Sequence, residues 1–225
     1  MPTNQEQFHD ALKALTQPLN GQYPRPWMTE LTDPLSATVF IVGHNQKMCY
    51  DATLLTHDRH LDALFNRNGE SCRGLYNELN GFNPSPTRFN MDCFRNILAK
   101  ENVTQVLETN VVCYSTPMGN QLRLPRHNGG AVRGSEIFQT LLDFVKPRVL
   151  IAHGAKTREL LGSLLRTPLP DPPKQDGDPQ PVLVGKMTIF ITPSFAPPQW
   201  NKWQGWAQQY LVEVAKAAAR SLNQS

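Results

Sequence analysis

Apolar residues recur at helical spacing near the start of the chain, where Phe8, Ala11, Leu12 and Leu15 share one face and predict an amphipathic helix over residues 6–15. Proline and glycine break that period across 18–26, and residues 23–34, containing Trp27, read as a loop. Then Thr38, Val39, Phe40, Ile41 and Val42 form a short β-branched and aromatic run that breaks at Gly43 into His44, Asn45, Gln46 and Lys47. That is the pattern of a buried strand entering a loop. Leu54, Leu61, Leu64 and Phe65 place a helix over 54–65, and Leu75 opens a helical pattern over 75–79. Phe94, Ile97 and Leu98 mark another over 91–99, with Asn90 as its N-cap.

Val106, Leu107, Val111 and Val112 supply a second strand over 103–113. A polar loop follows over 114–134, holding Pro117, Gly119, Asn120, Arg123, Pro125, Arg126, His127 and Arg133. Loops of that length inside a compact domain usually carry function. Ser135 caps a helix running to Val145, residues 149–152 form a third strand, and Gly154 and Ala155 turn it into a helix over 156–165. Residues 168–181 hold six prolines and read as an exposed surface insert. A fourth strand over 186–191 ends in Thr192, Pro193 and Ser194, and an alanine-rich helix spans 200–222. Trp200, Trp203 and Trp206 fall at helical spacing there and read as core packing. Strands separated by helices predict an α/β fold in one domain over 1–225, a three-layer α/β/α arrangement around a central, mostly parallel four-stranded sheet.

Composition narrows the class. With 40% hydrophobic and 18% charged residues the chain is that of a globular protein, and its net charge of +3 is compatible with a polyanionic partner without requiring one. Cys49, Cys72, Cys93 and Cys113 are widely spaced with no Cys-x-x-Cys pair, so neither a zinc nor an iron–sulfur site is expected, and the thiols read as reduced and mostly buried. The polar start and the absence of any apolar run near ~18 residues predict a cytoplasmic protein, nuclear in a eukaryotic source, with no membrane segment.

The four strands each end in a distinctive loop, and in a parallel sheet such loops lie along one edge, where ligands bind. Their order resembles the uracil-DNA glycosylase superfamily. Gly43-His44-Asn45 is similar to that superfamily's first motif, Gly-x-Asn or Gly-x-Asp at the first strand's end. Thr192-Pro193-Ser194 is similar to its second, usually His-Pro-Ser. Thr109-Asn110-Val111-Val112-Cys113, followed by Pro117 and Asn120, resembles the Thr-Asn-x-x-Lys-Cys segment of the branch that carries iron–sulfur clusters. Residues 149–161, with Gly154-Ala155, resemble the strand–glycine–helix step before the second motif. The resemblance covers roughly residues 37–210.

It implies hydrolysis of the N-glycosidic bond of a base flipped out of DNA. Asn45 would position the attacking water and Thr192 would face the leaving base, with Gly43, His44, Phe65 and Asn110 around the base. Tyr50 or Phe89 could stack on the base in place of Phe65, whose helical position also suits the core. Ser194 would contact a phosphate, Phe195 would wedge into the space left by the base, and Arg123 and Arg126 would follow the backbone of double- or single-stranded DNA. No cofactor or metal is implied, and a monomer is expected. Gln46-Lys47 and Thr192 depart from the pattern, Thr192 standing where most branches carry a histidine, so a catalytically inactive relative binding nucleic acid or another ligand in the same cleft is the alternative.

Overall fold

The computed structural model describes residues 3–197 and 205–224. Its elements in chain order are helix α1 (Asn4–Leu15), strands β1 (Gln22–Tyr23), β2 (Trp27–Met28), β3 (Val39–Gln46) and β4 (Tyr50–Asp51), helices α2 (His57–Leu64), α3 (Cys72–Leu79) and α4 (Pro86–Lys100), strand β5 (Val106–Ser115), helix α5 (Gly130–Val145), strand β6 (Val149–His153), helix α6 (Ala155–Leu165), strands β7 (Val182–Val184) and β8 (Met187–Thr192), and helix α7 (Trp206–Asn223). This is a mixed α/β fold with six strands in the main sheet, ordered β2-β5-β3-β6-β8-β7. β3, β6 and β8 run parallel, whereas β2 and β7 pair antiparallel with β5 and β8.

The sheet therefore has two strands more than the sequence pattern predicts. β2 is two residues long and β7 three, too short for a period to register. β7 does carry a local signal: only Gly185 and Lys186 separate it from β8, and Gly185 has φ +59, the glycine conformation that a two-residue hairpin turn of type II′ requires.

The chain divides into two compact units, Met1–Ala37 with His44–Phe82 and Leu107–Lys146, and Thr38–Gly43 with Asn83–Val106 and Pro147–Ser225. In the first, α1 opens with a capping box in which Thr3 and Glu6 each accept from the other's backbone N–H. It buries Phe8 and Leu12, and the Phe8 ring stacks on Trp27 with centroids 5.8 Å apart. α5 begins at Gly130 rather than at Ser135, which shortens the long polar loop. The helix lies close on β5: a Cβ on Gly134 would stand 2.8 Å from the Cys113 backbone nitrogen, and one on Gly130 2.6 Å from the Tyr114 ring. Glycines one turn apart thus let helix and strand approach.

In the second unit, Val39, Ile41, Val149, Ile151 and Phe190 of the parallel strands form one core with Phe94 and Leu98 of α4 and Leu211 and Val214 of α7. α4 starts earlier than its apolar period suggests, with Ser85 as N-cap, accepting from the Arg88 N–H, and Pro86 in the first turn. Asn90 is therefore not a cap: it sits inside the helix, buried, and its Nδ2 donates to the Phe195 carbonyl at 2.8 Å. Tyr210 of α7 donates its hydroxyl to the Ile191 carbonyl at 3.0 Å, tying that helix to the end of β8. Trp206 opens α7 and packs against this core, whereas Trp200 and Trp203 lie outside the described residues. Residues 168–181 are irregular and largely exposed, with Leu169 buried.

Two imidazoles, one wholly buried and one half-buried, make stability depend on pH. His60 is wholly buried, donates from Nε2 to the Pro24 carbonyl at 3.0 Å and has no partner for Nδ1, and burial pushes its pKa down to about 4. Burial does the same to His153, also to about 4. Below the ordinary value of 6.5 the unfolded chain takes up these protons while the folded chain does not. The stability they contribute is complete above pH 6.5 and is lost as the pH falls towards about 4. A series of thermal melts across that window should show a falling Tm, and His60→Phe, even if less stable at neutral pH, should show a shallower fall. Parallel slopes for the two proteins would contradict this account.

Candidate functional site

β3 does not stop at Gly43; it continues through His44 and Asn45 to Gln46, so Asn45 sits on a hydrogen-bonded strand end rather than in a free loop. The Asn45 side chain is half-buried, and its Nδ2 donates to the Thr116 hydroxyl at 2.8 Å and to the Gln46 carbonyl at 3.1 Å. Which end of the amide faces these partners is settled by their chemistry. The Gln46 carbonyl can only accept, and Thr116 Oγ1 uses its single proton to donate to the Met118 carbonyl at 2.9 Å. Asn45 must present its nitrogen to both, which leaves Oδ1 as a fixed acceptor. The Thr116 N–H donates back to the Gln46 carbonyl at 3.0 Å, so the two strand ends hold each other.

Gly119 closes this corner. A Cβ there would overlap the His44 ring, lying 2.7 Å from Nδ1, and would reach within 3.5 Å of Asn45 Oδ1. Only glycine leaves the His44 ring in place, whereas the contact with Asn45 would be an ordinary one. Gln46, predicted as part of a polar turn, is buried, and its Nε2 donates to the Arg25 carbonyl at 2.6 Å.

Beyond Thr116 the chain makes two 3-10 turns, Gly119–Arg123 and Pro125–His127. Arg123 and Arg126 are exposed on them. Arg126 donates from Nε to His127 Nε2 at 3.2 Å and from Nη2 to Gln121 Oε1 at 3.2 Å. Because a guanidinium cannot accept, His127 carries its proton on Nδ1 and donates it to the Tyr114 hydroxyl oxygen, 3.2 Å away. The burial of His127 and the neighbouring Arg126 charge both lower its pKa, favouring that neutral form. A cavity of about 380 Å³ lies over these turns, lined by Leu122, Arg123, Leu124, His127 and Val132.

The second motif lies in the other unit. Thr192 ends β8 with no exposed surface, and its hydroxyl donates to the Pro193 carbonyl at 3.2 Å. It is built into the loop and offers a leaving base no group in this conformation, which corrects its expected catalytic placement. Its carbonyl accepts from the Gly154 N–H at 2.9 Å, and Gly154 (φ +89) lies so near Ser194 that a Cβ would meet the Ser194 Cβ at 3.3 Å. Ser194 is half-buried and its Oγ accepts from the Ala196 N–H at 3.1 Å.

Phe195 is not an exposed wedge. It is wholly buried, stacks on the His153 ring with centroids 4.5 Å apart and tilts against Phe94 at 5.4 Å. Its N–H points at His153 Nδ1, 3.4 Å away, which leaves the His153 proton on Nε2. Phe65 likewise packs rather than stacks on a base: its ring meets Phe8 and Trp27 edge-on, His9 at 5.2 Å and the Arg67 guanidinium at 5.3 Å. Asn110 lies in the middle of β5, six residues before Thr116, or roughly 20 Å at the strand rise. That removes it from the surroundings of Asn45. Gly43 is buried at the point where β3 passes from one unit to the other.

Thr116, which orients Asn45, is not distinguishable by sequence within a polar loop; 71 residues separate the pair. Cys72 and Cys113 are buried, and burial raises both thiols to about 11. Among the described residues no three His, Cys, Asp or Glu are grouped to hold a metal ion, and no helix is long and apolar enough to cross a membrane. No protein-family model matches the chain, and no curated protein matches it.

Proposed function

We propose that this protein is a DNA glycosylase that hydrolyses the N-glycosidic bond of a flipped uracil-like or mismatched base, working in the three-layer arrangement its motif order implies, as a monomer and without a cofactor. The observation that carries this reading is the Asn45 amide, whose donor end is held by Thr116 and Gln46 so that Oδ1 is presented in one orientation. An oriented amide oxygen accepts a hydrogen bond from a water and aims the water's lone pair at the sugar C1′. The water oxygen bonds to C1′ as the glycosidic bond breaks, and the base leaves with the bonding electrons. The amide takes up no proton: one hydrogen of the water stays on the new 1′-hydroxyl, and the other passes as a proton to solvent or to the departing base. The same dipole stabilises positive charge building on the sugar.

The burial of Thr192 favours the second reading, a relative that binds nucleic acid without cleaving it, because it withholds the one side chain expected to face the leaving base. Incubation with duplex and single-stranded oligonucleotides carrying uracil, hypoxanthine or mismatched thymine separates the two. Abasic product from at least one substrate is expected. Salt-dependent binding with no product from any of them would establish the binding reading instead.

A further inference from the structure

With Phe195 inside the core, a base-extruding protein needs another side chain to fill the space the base leaves. We propose that Met118 is that side chain, entering the base stack beside the extruded nucleotide while Leu124 lies along the groove and Arg123 and Arg126 engage the flanking phosphates. This rests on the reading of the protein as a base-flipping glycosylase.

Three observations within one unit support it. Met118, Leu124 and Val132 are exposed by 62%, 41% and 65%, a concentration of large apolar groups within a short segment. The base of Met118 is fixed relative to Asn45: its carbonyl accepts from the Thr116 hydroxyl at 2.9 Å, the same hydroxyl that accepts from Asn45, and from the Gln121 N–H at 2.9 Å. An unbranched thioether side chain on an anchored turn can enter a gap between base steps, as apolar wedges do in proteins that kink DNA. Finally, from Thr109 through Ser135 the chain contains no Asp or Glu but has the exposed Arg123 and Arg126, while Arg133 is paired with Glu136 at 3.5 Å. Apolar tips in a segment without negative charge suit a polyanion whose interior is apolar, which is the chemistry of a DNA duplex with a vacated base position.

The test compares binding of two otherwise identical short duplexes, one intact and one carrying a tetrahydrofuran abasic-site analogue, which cannot be cleaved. The wild-type protein is expected to prefer the abasic duplex. Met118→Ala should weaken that binding about tenfold and leave the intact duplex unaffected, since only the gap accepts a wedge. Arg123→Gln with Arg126→Gln should weaken both duplexes and lower the salt slope by about 0.9 for each phosphate no longer neutralised. All three positions are exposed, so unchanged melting temperatures should accompany these effects. Met118→Ala with full wild-type preference overturns the inference, and so does a wild-type protein that excises uracil yet shows no preference. A wild-type protein that neither binds these duplexes nor excises any base overturns the glycosylase reading itself.

Discussion

Asn45→Ala is expected to lower excision of uracil from a duplex oligonucleotide by about 10²–10³-fold, the loss that follows removal of a fixed polar group at a reacting centre. The loss should fall on the rate of the single-turnover chemical step and leave DNA affinity nearly unchanged, because in the proposed reaction the amide oxygen acts on water and on the sugar rather than on the phosphates. Thr116→Val gives the sharper comparison. It keeps the amide but deletes the hydroxyl that holds Nδ2 at 2.8 Å, leaving only the Gln46 carbonyl as a partner. Freed to turn, the amide presents its oxygen to the water part of the time. Thr116→Val should therefore show an intermediate rate, and combining it with Asn45→Ala should add little further loss, because the two act as one unit. Full activity in Asn45→Ala would remove Asn45 from the mechanism.

Phe195→Ala is expected to destabilise the protein by about 3–5 kcal/mol, the range for deleting a buried aromatic ring without refilling its space. The ring has no exposed surface, stacks on His153 and packs against Phe94 in the core that joins β3, β6 and β8 to α4 and α7. Its carbonyl also accepts the Asn90 side chain, so movement of the loop would strand a buried amide. Against a typical total stability of about 5–15 kcal/mol the loss is large enough to read directly from urea unfolding. Phe195→Leu refills part of the volume and should keep the fold. If Phe195 were instead an inserted wedge, alanine would leave unfolding unchanged and weaken DNA binding.

Much of the secondary structure is legible in the sequence. The run from Thr38 to Val42, the helical periods around Phe8 and Phe94 and the glycine step at Gly154 all correspond to elements of the fold. Each is specified by the side chains of a few consecutive turns or one strand, whose period decides which face is buried. Boundaries are less legible. α5 begins five residues before Ser135 because Gly130 and Gly134 are placed by their fit against Tyr114 and Cys113, a contact that no local period encodes. β2 exists because the edge of β5 is available to pair with it.

The candidate site divides along the same line. Residue order alone establishes that a polar pair, His44 and Asn45, follows an apolar strand and that a threonine and proline close another. What those residues can do emerges with the folded chain. Asn45 becomes an oriented acceptor through a hydroxyl 71 residues away, and Thr192 and Phe195 are withdrawn into the interior of the second unit. The covalent chain sets side-chain chemistry and local period, whereas access to solvent and the partner at the other end of a hydrogen bond depend on segments brought together when the core forms.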